Sequence, residues 1–315
     1  MEKVNENPLV SVIITTCKRC DFLKQTISSV LNQTYSNIEI IVVDDNNLET
    51  EYRSIVIKIC NSFESDKIKY LPMPKNSGAC IARNFGFQHS KGEYVNFLDD
   101  DDYFEPDKIE LQINLAKELN YSYGMIGAYT RIVNIDGIQI VIDKNELVDE
   151  DIFLSNLCKS IWQTSVPIIK RNIVSECGGF ENIVSSQEHL FWAKVLNIDS
   201  HCTLVKKPLV NIRHYEGDRI STSKKKNDGI LELSRRFDRY YKKLNIRQEQ
   251  KAKLYMNKAI VSSFKVTGCK MKALRYSLKR LGMNGGFNFY SFMLIFSVLM
   301  PKFVNQLYMK FRYKG

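Results

Sequence analysis

Four consecutive aspartates at positions 99–102 stand directly after an apolar run at positions 94–98. Adjacent carboxylates repel one another, and a hard divalent cation bound by their oxygens removes that repulsion. If the apolar run is a strand, the first and third aspartates point to one side of the chain and the second and fourth to the other. Such an acidic loop can also be a solvated turn or a helix cap. Its position after a buried strand favours Mg²⁺ or Mn²⁺ binding.

A second acidic pair, Asp44 and Asp45, follows another apolar run at positions 38–43. Taken alone, such a pair is more often a turn or an N-cap than a binding site. The stretch at positions 76–84 offers small residues for close backbone approach, and Arg83 within it could reach a phosphate or a base. Small residues also let a helix pack tightly on a sheet, so this signal is weak by itself.

The elements around these clusters alternate between strands and helices. Apolar, β-branched runs predict strands, and apolar residues at a 3.6-residue period predict helices. Such alternation predicts an α/β fold with a doubly wound, mostly parallel sheet, in which ligands bind at the carboxyl ends of the strands. Both acidic clusters fall at such ends. Strands are predicted at 10–16, 38–43, 68–71, 94–98, 125–141 (a hairpin), 162–169 and 203–214, and helices at 21–33, 51–63, 77–90, 106–119 and 185–196.

Composition narrows the class of protein. The 315 residues are 44% hydrophobic and 25% charged, which excludes a disordered, collagen-like or disulfide-stapled chain and suits one large or two modest domains. The eight cysteines are scattered, and Cys17 and Cys20 have no second pair at zinc-ligand spacing. Free thiols in a reducing compartment are therefore expected. The first eight residues are polar, so we expect no secretory signal.

The charge is divided along the chain. Residues 221–315 hold 22 Lys and Arg against 4 Asp and Glu, a net charge of +18, whereas residues 1–220 hold 23 against 31, a net charge of −8. We therefore predict a catalytic domain at 1–222 and a basic helical extension at 223–315. A basic surface could meet nucleic acid, anionic lipid or an acidic substrate. No helix-turn-helix, zinc-finger or RNA-binding signature accompanies the charge, so no nucleic-acid partner is expected.

Considered together, these motifs resemble the family 2 glycosyltransferases, which have the nucleotide-diphospho-sugar transferase (GT-A) fold. The resemblance covers about residues 8–222, with the motifs in the order and spacing of the family. It implies a GT-A central sheet flanked by helices. The matching residues are Ser11-Val-Ile-Ile-Thr-Thr16, Val43-Asp-Asp-Asn46, Asn76-Ser-Gly-Ala79, Ala82-Arg-Asn84, Gly92-Glu-Tyr-Val-Asn-Phe-Leu-Asp-Asp-Asp-Asp102, Gly178-Gly-Phe180, Gln187-Glu188 and Arg213-His214.

The resemblance implies a nucleotide site on the first half of the chain. Thr15 and Asp45 would line the base pocket, with Asp44 beside them and Arg83 nearby. The donor implied is a nucleotide-sugar, most simply a UDP-sugar.

The resemblance also implies a metal site. Asp99 and Asp101 match the Asp-x-Asp motif, so Asp101 would ligate Mn²⁺ or Mg²⁺ across the diphosphate. Asp99 or Asp100 would contact the ribose or a metal-bound water. His214 occupies the place where relatives often carry a histidine near the diphosphate or metal, and neutral imidazole can ligate Mn²⁺. The alternative for His214 is a hydrogen-bonded loop histidine.

Glu188 stands where the family usually carries an aspartate that acts as general base. In the family this carboxylate removes the proton of the acceptor hydroxyl, and a base opposite the leaving group implies inversion. This sequence departs from the pattern because Glu replaces Asp. The alternative is a solvated glutamate on a helix face.

The C-terminal extension carries an apolar stretch at about 286–304, with 14 nearly unbroken apolar residues at 287–300. About 20 residues are needed to span a bilayer, so a transmembrane helix is not expected. Aromatic side chains within the stretch and cations around it suit a helix lying in the headgroup region of an anionic membrane. A buried C-terminal helix or a dimer contact is the alternative.

The sequence therefore predicts a metal-dependent, inverting glycosyltransferase that moves a sugar to a hydroxyl of a glycan or a lipid-linked oligosaccharide. Bacterial surface polysaccharide synthesis is the expected setting, with the protein in the cytoplasm and attached to the inner face of the membrane. Two alternatives remain open. One is a nucleotidyltransferase, although the loop after the first strand, at positions 15–19, lacks glycine. The other is a non-catalytic scaffold at the membrane.

Overall fold

The structure is a computed structural model that describes residues 6–18, 20–144, 151–214, 225–283 and 288–300. The chain divides into two compact units. The sheet unit comprises Met1–Phe153, Ile161–Asn182 and Phe191–Glu216, and the helical unit comprises Leu154–Ser160, Ile183–Leu190 and Gly217–Gly315. The predicted domain boundary at residues 222 and 223 lies outside the described residues.

Strands and helices alternate along the first two thirds of the chain, as predicted. The strands are β1 (Val10–Thr16), β2 (Ile38–Asp44), β3 (Ile68–Pro72), β4 (Tyr94–Asp99), β5 (Tyr103–Phe104), β6 (Met125–Val133), β7 (Gln139–Asp143), β8 (Ile168–Lys170) and β9 (Cys202–Arg213). The helices in this part are α1 (Leu23–Leu31), α2 (Glu51–Asn61), α3 (Ala79–His89), α4 (Lys108–Glu118), α5 (Ile152–Cys158), α6 (Arg171–Glu176) and α7 (Gln187–Ile198).

The nine strands of the described residues form one sheet in the order β3–β2–β1–β4–β8–β6–β9–β5, with β7 paired to β6. β3, β2, β1 and β4 are mutually parallel, and the long pair of β6 and β9 is also parallel. The antiparallel pairings, of β8 with β4 and β6, of β5 with β9 and of β7 with β6, are short. The prediction of a mostly parallel α/β sheet flanked by helices is confirmed.

Both faces of the sheet are covered, as the alternation along β1 shows. Val12 and Ile14 are fully buried in a cluster that also contains Leu23 and Ile27 of α1. Ile13, between them, belongs to a second cluster on the opposite face. Because successive strand residues point to opposite sides, each strand packs against an apolar layer on both faces of the sheet.

The predicted strand at 162–169 is wrong for most of its length, since only β8 is a strand there. Main-chain carbonyls of this segment accept hydrogen bonds from side chains and not from a neighbouring strand. Asn96 Nδ2 donates to the carbonyls of Ser165 at 2.9 Å and Pro167 at 2.8 Å. Proline also lacks the N–H that a ladder needs. The short helices α5 and α6 were not predicted from the sequence.

Beyond β9, the described residues of the helical unit form four helices: α8 (Lys225–Tyr241), α9 (Ile246–Val266), α10 (Lys270–Leu281) and α11 (Phe289–Leu299). Helix α9 begins with a capping box between Asn245 and Gln248. Ser263 of α9 donates to Asn227 of α8 at 2.8 Å, which fixes the packing of these two helices. Among the described residues, no helix is both long enough and apolar enough to cross a membrane.

Candidate functional site

The register of the central strands brings the first acidic residues to one edge of the sheet. Thr15 of β1 is paired with Val43 of β2 on one side and with Asp99 of β4 on the other. Asp44 follows Val43 directly, so the two acidic clusters flank the carboxyl end of β1. Parallel strands all end at this edge, which is where open α/β sheets bind ligands.

Asp44 is entirely buried, and protein groups occupy both of its carboxylate oxygens. The main-chain N and side-chain Nδ2 of Asn46 donate to Oδ1 at 2.9 and 2.8 Å, and the Tyr70 hydroxyl donates to Oδ2 at 2.7 Å. Arg53 Nε lies 3.6 Å from Oδ2. Because none of its surface is exposed, Asp44 acts on the neighbouring loop by holding Asn46 in place.

Asp45 joins the end of β2 to the loop that begins helix α3. The main-chain N–H groups of Ser77 and Gly78 donate to its two carboxylate oxygens at 2.7 and 2.8 Å. Asn76 Nδ2 donates to the Asp45 carbonyl at 2.9 Å. Burial raises the pKa of Asp45, and the two main-chain donors oppose that rise. Gly78 has φ +91°, so this loop conformation favours glycine.

Arg83 of α3 forms an ion pair with the aspartate that ends β4. Its Nη2 lies 2.6 Å from Asp99 Oδ1, and Thr164 Oγ1 donates to Asp99 Oδ2 at 3.3 Å. The guanidinium carbon lies 5.2 Å from the centre of the Phe180 ring. Arg83 is buried, whereas the Asp99 side chain is 37% exposed, so this carboxylate can still meet a ligand.

The exposure of the four aspartates alternates as predicted, although β4 ends at Asp99 and the chain then turns. Asp99 and Asp101 are half-buried, and Asp100 and Asp102 are buried. Ser165 Oγ donates to Asp102 Oδ2 at 2.7 Å, and the main-chain N of Arg213 donates to Oδ1 at 3.2 Å. Burial, followed by the charges of Asp101 and Asp99, holds the pKa of Asp102 well above its usual range.

Arg213 is a functional candidate that sequence reasoning passed over. The side chain is buried at the end of β9, where Nη1 donates to the carbonyl of Asp101 at 2.7 Å and Nη2 donates to Gln25 Oε1 at 2.8 Å. Its guanidinium carbon lies 3.9 Å from the ring centre of Phe22 and 5.1 Å from that of Tyr103. Arg213 therefore fixes the main chain of Asp101. Its only sequence signal was its position beside His214.

His214 lies immediately after β9 with an exposed side chain, and its main-chain N donates to the Val133 carbonyl at 2.7 Å. No three His, Cys, Asp or Glu side chains of the described residues form a group that could hold a metal ion. Asp99, Asp101 and His214 thus do not make a three-ligand site here. Magnesium ions, however, are commonly held by one or two carboxylates together with substrate phosphates. The crowded carboxylates of Asp99 and Asp101 fit that kind of site.

Glu188, the predicted base, is half-buried in the first turn of α7 and belongs to the helical unit. Further along α7, Lys194 donates to the Gly179 carbonyl at 2.6 Å and lies 3.5 Å from Glu181. Trp162 and Trp192 are both buried in the core of the sheet unit.

The chain is similar in sequence to known glycosyltransferases. Residues 11–157 match the sequence model of glycosyl transferase family 2. An uncharacterized glycosyltransferase of Rickettsia bellii is 35% identical over 192 residues, covering 59% of this chain and 26% of that protein. Bacillus subtilis TuaG, named for a proposed role as a glycosyltransferase in teichuronic acid biosynthesis, is 33% identical over 123 residues, 39% of this chain and 48% of that one. The chain spans about a quarter to a third of the length of several Rickettsia relatives.

Two solved structures share the fold across most of the chain. Residues 1–349 of Staphylococcus aureus TarS, solved with UDP-GlcNAc, superpose with a TM-score of 0.58 at 17% identity, covering 92% of this chain and 91% of that one. The mannosyltransferase PcManGT of Pyrobaculum calidifontis, solved with GDP-Man and Mn²⁺, gives 0.55 at 17% identity, covering 87% and 76%. At this identity the likeness establishes the fold alone, and the predicted GT-A fold is confirmed.

Proposed function

We propose that this chain, whose residues 11–157 belong to glycosyl transferase family 2, moves a sugar from a nucleotide-sugar to an acceptor hydroxyl. The observation that carries the proposal is the strand-end cluster, in which Asp45, Arg83, Asp99 and Asp101 gather at the carboxyl ends of β2 and β4 and on α3. A scaffold has no need to keep half-buried carboxylates at the ligand-binding edge of an open sheet.

The donor that we propose is a UDP-sugar. Thr15 and Asp45 would line the base pocket, because a carboxylate has about four lone-pair sites and can accept a base N–H beside its main-chain donors. The donors are Ser77 and Gly78, which hold the Asp45 carboxylate in one orientation. The TarS structure with UDP-GlcNAc supports a nucleotide-sugar as the ligand of this fold.

We further propose that Mn²⁺ or Mg²⁺ is held by Asp101 and Asp99 together with the diphosphate, with His214 or Asp100 nearby. A bound divalent ion supplies a Lewis acid that stabilises charge on a departing diphosphate. The protein's own arginines contribute by holding the two aspartates in position. Arg213 holds the Asp101 main chain, and Arg83 fixes Asp99 Oδ1. Asp99 Oδ2 accepts from Thr164 and has a further lone pair that can meet a cation.

The reaction proposed is a direct displacement. The acceptor oxygen attacks the anomeric carbon, the bond from that carbon to the phosphate oxygen breaks, and the nucleoside diphosphate leaves with the bonding pair. Glu188 takes the proton of the acceptor hydroxyl. One displacement with the base opposite the leaving group inverts the anomeric configuration.

The acceptor that we propose is a hydroxyl of a glycan or a lipid-linked oligosaccharide, in the synthesis of a bacterial surface polysaccharide. The similarity to TuaG supports the setting, since that protein is named for teichuronic acid biosynthesis.

Peripheral attachment to an anionic membrane is proposed on the surface of the helical unit. Helix α11 leaves Phe289 and Tyr290 74% and 78% exposed, and Phe292 and Phe296 are also exposed. The neighbouring helix α10 exposes its own apolar and cationic side chains. Aromatic and cationic groups together favour the interfacial region of an anionic bilayer. The exposed residues of α10 are Lys270, Met271, Lys272, Arg275, Leu278 and Lys279.

Vesicle flotation tests the membrane proposal. The wild-type chain is expected to float with vesicles that contain phosphatidylglycerol and to stay behind with phosphatidylcholine alone. Phe289→Ser with Tyr290→Ser should abolish flotation, whereas Tyr255→Ser, which alters an exposed aromatic on α9, should not. Equal flotation of all three proteins would contradict the role of α11.

The nucleotide site is tested by calorimetric titration of UDP, with GDP and CDP as controls, in the presence and absence of Mn²⁺. We expect Mn²⁺-dependent binding of UDP that disappears in Asp101→Asn. Absence of nucleotide binding by the folded protein would refute the transferase and favour the scaffold. Conversion of a nucleoside triphosphate and a sugar phosphate to a nucleotide-sugar, with release of pyrophosphate, would instead favour the nucleotidyltransferase.

A further inference from the structure

Glu188 is followed by a histidine that is locked to another part of the helical unit. His189 Nε2 donates to the main-chain carbonyl of Asn156, and Asn156 Nδ2 donates back to the main-chain carbonyl of His189 at 3.3 Å. Asn156 is completely buried. This reciprocal pair fixes the main chain of α7 one residue away from the Glu188 carboxylate.

Helix α8 supports the same stretch, Ile183–Leu190, at two points. The rings of His189 and Phe237 pack in a T-shaped arrangement, with the ring centres 5.0 Å apart and the planes at 88°. Phe237 has no exposed surface. Near the other end of the stretch, Ser185 Oγ donates to the Lys226 carbonyl at 3.4 Å, and a Cβ on Gly229 would lie 1.9 Å from that hydroxyl. The residues before and within the first turn of α7 therefore rest on α8.

The support that His189 provides is electrically neutral. Burial lowers the pKa of His189 to about 4, although its bond to the Asn156 carbonyl works in the opposite direction. Because that carbonyl only accepts, Nε2 carries the single proton of the neutral ring. A cationic imidazolium next to Glu188 would favour the ionised carboxylate and weaken it as a base, and the neutral ring does not.

We propose that His189, backed by Phe237 of helix α8, is a positioning residue that holds the general base Glu188 in its working orientation. The inference rests on the proposed function, since it requires Glu188 to be the base. It makes helix α8, in the extension predicted to serve membrane binding, a part of the catalytic machinery. Small displacements of a catalytic group cost large factors in rate, so such a support should appear in kcat.

Steady-state kinetics with three variants test the inference. His189→Leu removes the donor and should lower kcat about tenfold or more, whereas His189→Gln keeps a side-chain N–H donor and should recover most of the rate. Phe237→Leu should lower kcat in the same way if His189→Leu is too unstable to purify. The affinity for UDP should stay within about twofold of wild type in all three.

Phe264→Leu is the matched control. Phe264 is also a buried aromatic of the helical unit, but its ring stacks on Tyr276 of α10. It should lose thermal stability to a degree comparable with Phe237→Leu and keep the wild-type kcat. An equal loss of kcat in both variants would mean that destabilisation alone explains the effect, and would overturn the inference.

A double-mutant cycle decides whether His189 acts through the base. In the Glu188→Gln background, His189→Leu should cost almost nothing further, because residues that act as a unit are strongly non-additive. The same loss in both backgrounds would overturn the inference. A wild-type rate for His189→Leu beside an inactive Glu188→Gln would overturn this inference alone, whereas full activity of Glu188→Gln would overturn the base assignment and this inference with it.

Discussion

The two places that carry the proposed reactive carboxylates are built in opposite ways. At the sheet edge, Asp99 and Asp101 are held by two buried arginines, Arg83 and Arg213. In the helical unit, the turn that bears Glu188 is held by a neutral histidine and an aromatic ring. Cations suit a site that receives a diphosphate, because they offset its charge. A general base needs its proton affinity preserved, which favours a neutral support.

The largest effect is expected from replacing the guanidinium of Arg213 at the sheet edge. Arg213→Lys keeps the charge but loses the guanidinium contacts with the rings of Phe22 and Tyr103, and it cannot make both hydrogen bonds in the same geometry. We expect kcat/KM to fall by about a hundredfold, through loss of the Asp101 position. Turnover assays and UDP titration with Mn²⁺ measure the effect.

Arg235→Lys is the control for that substitution. Arg235 is an exposed arginine of α8 that pairs with Glu232 of its own helix, so its replacement should leave turnover unchanged. If Arg213→Lys matched this control, the main chain of Asp101 would not depend on the guanidinium.

The neutral state of the His189 ring can be tested by measuring folding stability at acid pH. The pKa of His189 is lowered by burial to about 4, below its ordinary value of about 6.5. The unfolded chain therefore binds a proton first as pH falls, and folding stability is lost from about pH 6.5 down to about pH 4. The loss attributable to this residue is at most about 3 kcal/mol. Denaturant unfolding at several pH values measures it.

In that experiment His189→Gln should flatten the acid decline, since it cannot take up the proton. His201→Gln, which changes an exposed histidine of the sheet unit, should leave the decline as in wild type. Identical curves for His189→Gln and wild type would show that the ring is not buried in its neutral form.

The smallest effect expected concerns a cation at the sheet that lacks an acidic partner. Lys108 of α4 has no exposed surface, its Nζ lies 4.0 Å from the ring centre of Phe104, and no hydrogen-bond partner is found for it among the described residues. Burial lowers the pKa of Lys108 well below its ordinary value. Stability should therefore rise with pH toward the unfolded pKa near 10.4.

Lys108→Met should raise the free energy of unfolding by about 1–2 kcal/mol at pH 7 and flatten its rise at higher pH, because a buried amine without a partner is costly. Lys117→Met, on the exposed face of the same helix, should change stability little. A destabilised Lys108→Met would show that this amine has a partner and belongs with the paired cations.

Short sequence motifs predicted more of the sheet edge, where we propose that the nucleotide binds, than of the stretch around Glu188, the proposed general base. Strands β1, β2 and β4 and the aspartates after them follow from short apolar runs that end in acidic residues, and each run contains its own signal. The segment at 162–169 was misread because its carbonyls bond to Asn96, a partner about seventy residues away. The two short helices after residue 150 carry too few turns for a periodic signal.

By itself the sequence determined the alternating fold, the acidic strand ends and the match of residues 11–157 to the model of glycosyl transferase family 2, because periodicity and neighbouring residue types encode them. Only the tertiary structure decided that Arg213 reaches back 112 positions to Asp101, and that His189 and Phe237 hold the turn bearing Glu188. These contacts depend on strand order and helix packing, which join distant parts of the chain and leave no local pattern in it.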